Sequence, residues 1–240
     1  NVIHAGTRTV RYYLDQNAYS EINRENELEA IRSAFDQWES IPGSYLNFEE
    51  AGFINAVVAK IQPDDAEWDA ADYDYNVVRW SSEPDGNLLG IGPSVSNPLT
   101  GEIISADVVN KLLAIKLGYN YRKLYGYTED NDPLMQYITN LTLHEVGHVL
   151  GLRHNFRGSY LYSPDEIHDK NITGNVLMSS VMDYDPINIA PEGVEQGIYF
   201  STEPGVYDKW AVKFGYTPNL TDEERTALLQ QSVKRELTFG

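Results

Sequence analysis

Residues 144–155 read H-E-V-G-H-V-L-G-L-R-H-N and close a stretch with the pattern of a buried helix. Asp132 can cap its start, and Pro133 suits the first helical position. Leu134, Ile138, Leu141, Leu143, Val146, Val149 and Leu150 fall on more than one face, so the helix should be buried deeply. Gly151 stops it, because glycine adopts the left-handed cap conformation at little cost. His144 and His148 stand four residues apart and therefore share a helix face. Polar imidazoles on an apolar helix need partners. After the turn at Gly151, His154 can supply a third nitrogen from outside the helix. Three imidazoles and a water form a tetrahedral catalytic zinc site with one open position. Glu145 can reach that water without being a ligand itself.

The pair His144 and His148 alone also fits two core or surface histidines. The added Gly151 and His154 make the metal-binding pattern far more specific. The chemistry uses each part. Zinc lowers the pKa of water from 15.7 to about 7 and polarises a scissile carbonyl. A carboxylate at Glu145 can take the water's proton and deliver it to the leaving amine. The negative oxygen of the tetrahedral intermediate needs stabilising partners.

Upstream, 8–14 reads as a strand and 25–39 as an amphipathic helix with Leu28, Ile31, Phe35 and Trp38 at helical spacing. Segments 45–49, 54–61 and 76–80 read as strands. Segment 83–101 holds four glycines and three prolines and reads as loop. Ile103 to Val109 reads as one short strand, and 110–125 as a helix. After Gly151 the chain changes character: 155–203 looks irregular, with helices expected over 205–214 and 221–237. The pattern is a single α+β domain over 1–240. Its N-terminal lobe is 1–154, and a smaller, irregular and helical C-terminal lobe is 155–240.

Composition narrows the function classes. The formal charge is −18, from 36 acidic and 18 basic residues. That balance disfavours nucleic acid and anionic membranes as partners. No apolar run approaches the ~20 residues that span a bilayer. The first ten residues lack the basic-then-apolar pattern of a signal peptide, which a mature end would lack too. Cysteine is absent, so disulfides and thiolate chemistry are excluded, and a bacterial origin is favoured over a secreted eukaryotic one. Carboxylates at 64–74 and 129–132 suggest structural calcium, although no EF-hand pattern is present. The Asn-x-Thr triplet at Asn140 lies in the buried helix and reads as a chance match. His4 and His168 read as surface or packing histidines.

The spacing HExxHxxGxxH resembles the metzincin clan of zinc endopeptidases. Ser180-Val181-Met182-Asp183-Tyr184 is similar to the methionine turn of that clan, with the tyrosine placed as in astacins and serralysins. The resemblance implies a two-lobed catalytic domain with a twisted mixed sheet and the active-site helix in the N-terminal lobe. It makes His144, His148 and His154 the zinc ligands and Glu145 the general base. Met182 becomes an apolar floor, a role that a plain core methionine would fill equally. Tyr184 becomes a transition-state hydrogen-bond donor able to act as an extra ligand. Among 17 tyrosines it is also compatible with simple packing. The residue after the third histidine is Asn155, where astacins have Glu, serralysins Pro and adamalysins Asp. Asn76-Val77-Val78-Arg79-Trp80, Gly92-Pro93-Ser94-Val95, Pro98-Leu99-Thr100-Gly101-Glu102-Ile103 and Tyr207-Asp208-Lys209-Trp210-Ala211 resemble a group of large bacterial metzincin-like metallopeptidases. With the zinc motif, that likeness spans roughly 76–216.

The implied partner is a protein or peptide laid along an edge strand of the sheet, for which 103–109 is the candidate. Val176, Leu177 and Met178 are expected to wall the cleft. The expected molecule is a monomer that is secreted, periplasmic or on the cell surface. Two other readings stand beside an active endopeptidase. One is a zinc-retaining adhesion module that has lost catalysis, against which Glu145 argues. The other is hydrolysis of a non-protein amide.

Overall fold

The computed structural model of the chain describes residues 10–14, 24–41, 57–61, 65–68, 72, 76–81, 89–101, 103–217 and 219–240. In chain order they hold β1 (Val10–Leu14), α1 (Arg24–Glu39), β2 (Val57–Ile61), β3 (Asn76–Ser81), β4 (Gly90–Ile91), β5 (Ser94–Ser96), β6 (Ile103–Ala106) and β7 (Val108–Lys111). Then follow α2 (Leu112–Tyr125), α3 (Pro133–Val149), α4 (Lys170–Thr173), α5 (Val206–Tyr216) and α6 (Asp222–Leu229). The fold is α+β, as expected. The strand expected over 45–49 lies outside the described residues, as does His4.

The main sheet has the order β2-β1-β3-β7-β4. Its first four strands run parallel and β4 runs antiparallel to β7. Parallel strands bury both faces under crossover helices. On one face α1 packs Ile31, Phe35 and Trp38 against Leu134, Ile138 and Leu143 of α3 and Val108 of β7. Trp38 also donates its indole N–H to the Leu143 carbonyl at 3.2 Å. That bond ties α1 to the peptide just before His144.

The strand expected over 103–109 is two strands, broken at Asp107. The Asp107 carboxylate accepts from the Val77 N–H (2.8 Å), and the Asn76 carboxamide oxygen accepts from the Ala106 N–H (2.7 Å). Side chains thus replace the ladder at this point. β6 turns away to pair with β5, while β7 enters the sheet between β3 and β4. The edge strand of the main sheet at the site is therefore β4, and not 103–109. Segment 83–101 is accordingly not all loop, since it contributes β4 and β5.

Asp132 caps α3, accepting from the Leu134 N–H at 3.0 Å, and its carboxylate also pairs with Arg122 of α2. At the other end Gly151 has φ 85°, and the Gly151 and Leu152 amides bond back to the His148 and Gly147 carbonyls, both at 2.9 Å. This pair of hydrogen bonds closes the helix and reverses the chain. Beyond it the chain is largely irregular to residue 205, with a 3-10 turn at Gly158–Tyr160 and one α-helical turn at α4. The helix expected over 221–237 ends at Leu229, and two 3-10 turns replace its second half. Thr221 and Glu224 cap its start reciprocally. Tyr216, at the end of α5, donates to the Leu150 carbonyl at 2.9 Å and fastens that helix beneath α3.

Candidate metal centre

Two turns of α3 and the reversal after it bring three imidazoles together. The potential ligand nitrogens of His144, His148 and His154 all lie within 4.8 Å of one another. His144 Nδ1 is 2.7 Å from the Val181 carbonyl, and His148 Nδ1 is 3.0 Å from the Leu152 carbonyl. A carbonyl can only accept, so each Nδ1 carries the proton and each Nε2 presents a lone pair. Those Nε2 atoms sit 3.2 and 3.1 Å from His154 Nε2. One proton on His154 could satisfy only one of these contacts. A cation at the centre satisfies them together, so the donor set fits a divalent metal of the zinc type. Burial, against the help of the Val181 carbonyl, pushes His144 down to about 4, and burial also lowers His154. Neutral imidazoles are the ligating form.

Gly147, three residues on from His144, is a glycine because nothing larger fits. A Cβ there would run into the sulfur of Met182 and crowd Trp38. Met182 is fully buried, directly under the helix turn that carries the histidines. Of the residues expected to wall the cleft, Leu177 and Met178 are buried and Val176 is half-buried.

Glu145 is 4% exposed, and burial pushes its carboxyl up to about 7. The edge strand passes directly over it. A Cβ on Gly90 would come 2.6 Å from Glu145 Oε1, and one on Gly92 would come 2.7 Å from the Glu145 carbonyl and 3.1 Å from His148 Cβ. Two glycines thus let the strand lie on the carboxylate. Sequence reasoning missed them, because Gly-Ile-Gly carries no strand period and their cause is contact across space.

Tyr184 is 63% exposed, yet its hydroxyl lies 3.0 Å from His154 Nε2. Its ring stacks beside His144, with centroids 5.5 Å apart. Phe156, also exposed, is 5.8 Å from the His154 ring and 5.9 Å from Tyr184. These rings make an aromatic rim around the open side of the triad.

Asn155 is wholly buried and acts as a junction. Its N–H donates to the Met182 carbonyl at 3.0 Å. Its side chain donates to the Thr238 carbonyl and accepts from the Gly240 N–H. Phe156 adds a backbone bond to the Gly240 carbonyl at 2.7 Å. The segment 238–240 is thereby stapled beside the third histidine. Asn140, buried in α3 as expected, donates to the Ser201 carbonyl at 3.1 Å.

Among the described residues the three histidines are the only cluster able to hold a metal. The carboxylates of 129–132 do not gather into a calcium site, because Asp132 is engaged by Arg122 and the α3 amide. Most of 64–74 lies outside the described residues. His168 is apart from the triad. No described helix is long and apolar enough to cross a membrane.

Residues 127–240 match the model of a protein family described as Met-zincin. The matched stretch contains the triad, Glu145, Met182 and Tyr184. No curated protein matches the chain.

Proposed function

We propose, from the premise of that Met-zincin match, that the chain is a zinc-dependent endopeptidase. The observation that carries the reading is the convergence of three Nε2 lone pairs, two fixed by backbone carbonyls, beside a buried carboxylate under an edge strand. When bound, zinc would acidify a water molecule and polarise the substrate carbonyl. His144, His148 and His154 would hold it. Glu145 takes the proton of the attacking water and hands it to the leaving amine. Burial holds its affinity for a proton near neutrality, which suits a group that must both take and give one. Tyr184 donates its hydroxyl to the oxygen that becomes negative as the tetrahedral intermediate forms. An extended peptide lies along β4 and is held by main-chain hydrogen bonds, so many side chains are accepted. The protein works outside the cytoplasm as a monomer.

Metal analysis coupled to cleavage of a casein-type substrate tests the reading. The expected result is about one zinc per chain, with hydrolysis abolished by a chelator and restored by zinc. A metal-replete protein inert toward unfolded protein and peptides would overturn it in favour of a binding module. Turnover of small amides alone would favour the non-protein amide reading.

A further inference from the structure

The least expected charge near the site is Asp208, at the start of α5. It is fully buried. Its carboxylate accepts from Ser180 Oγ (2.6 Å), the Val181 N–H (2.7 Å) and the Gly205 N–H (2.8 Å). Helix α5 is pressed onto the methionine turn to allow this. The Tyr207 N–H donates to the Ser179 carbonyl at 2.8 Å, and Gly205 packs so closely on that carbonyl that a Cβ would collide with it.

The contacts form a continuous chain. His144 Nδ1–H donates to the Val181 carbonyl. The other side of that same peptide, the Met182 N–H, donates to Ser180 Oγ at 3.1 Å. The Ser180 hydroxyl in turn donates to Asp208. Each link points the same way, so each polarises the next. Metal-bound histidines generally hand their second N–H to a carboxylate or carbonyl, and that partner raises the basicity of the ligating nitrogen. Here the direct partner is a neutral carbonyl, with a buried negative charge two hydrogen bonds behind it.

We propose that Asp208 is a positioning residue of the metal centre, acting through Ser180 and the 181–182 peptide to orient His144 and strengthen it as a ligand. The inference rests on the zinc reading above. It also explains why the methionine turn begins with a serine: Ser180 is the one side chain that accepts from the turn and donates to the carboxylate. His148 provides an internal control. Its Nδ1–H ends on the Leu152 carbonyl, for which no such continuation exists among the described residues.

The test uses the whole domain loaded with Co(II), and reads zinc affinity by competition with a chelator. In Asp208→Asn the shape is kept and the charge is lost. Zinc should bind about 10- to 100-fold more weakly. In the proton spectrum of the cobalt form, the His144 Nδ1–H signal should shift and exchange faster, while that of His148 stays in place. Ser180→Ala removes one link without touching the charge, and should move the same two readouts in the same direction by less. It carries the test alone if Asp208→Asn fails to fold. Zinc affinity within about twofold of the parent in a folded variant would overturn the proposal. Equal movement of the His144 and His148 signals would do the same, since it would mean general loosening. A parent domain that binds neither zinc nor cobalt would fail at the earlier step, and would refute the zinc reading beneath.

Discussion

At the scale of single residues, the proposed zinc chemistry separates groups that hold the metal from groups that react. His148→Ala removes one of three converging nitrogens, and tight zinc binding should be lost by mass spectrometry of the metal. Glu145→Gln keeps the volume beneath β4 but removes the base. Zinc should stay, and peptide hydrolysis should fall by several powers of ten. Unchanged turnover in a metal-replete variant would exclude Glu145. Tyr184→Phe is the more exacting experiment. The hydroxyl lies 3.0 Å from His154 Nε2 on an exposed ring that has room to swing. Loss of one oxygen should lower kcat by about one to three powers of ten while KM holds. A rate within about twofold would make it a packing tyrosine. The histidines and Glu145 were legible beforehand because their chemistry is local: i, i+4 spacing and a glycine stop let three imidazoles meet at one point. Tyr184 was reached only through the likeness of 180–184 to a methionine turn. Asp208 and Asn155 were not legible. The sequence marks Asp208 only as part of the 207–211 likeness, and Asn155 only as the residue after the third histidine. Their partners lie 28 and 85 positions away.

At the scale of elements, α3 was readable almost to the residue, since cap, proline, periodicity and glycine stop agree. The edge strand was not. β4 is two residues long, and its existence depends on β7 pairing with it. Ile103 to Val109 reads as one short strand, and only the side-chain bonds of Asp107 and Asn76 divide it. The closeness of β4 to the base is testable. Gly90→Ala puts a methyl 2.6 Å from Glu145 Oε1, so the carboxylate or the strand must shift. Hydrolysis should drop by at least tenfold with zinc retained, because small misplacements of a catalytic group cost that much. Gly215→Ala, in α5 where the new Cβ meets nothing within 4 Å beyond its chain neighbours and its own helix backbone, should leave activity unchanged.

At the scale of the whole molecule, the formal charge of −18 sets a field that no single contact reveals. Cationic peptides should be drawn toward the protein and anionic ones repelled. For two peptides of one cleavage sequence, flanked by lysines or by glutamates, kcat/KM should favour the lysine form several-fold at about 0.02 M salt. The ratio should shrink toward one at about 0.5 M, where the Debye length falls to a few ångströms. A ratio unmoved by salt would mean that the preference comes from contacts in the cleft.

The staple at Asn155 also sets a timetable. Ribosomes deliver a chain from its N-terminus at about 5–20 residues per second. His154 leaves the tunnel long before Thr238 and Gly240, whose backbone groups complete the cage around its neighbour. For several seconds of every synthesis cycle the nascent polypeptide carries the triad without its final brace. Asn155 thus gains its last two hydrogen bonds only after translation has reached residue 240, 85 positions beyond it.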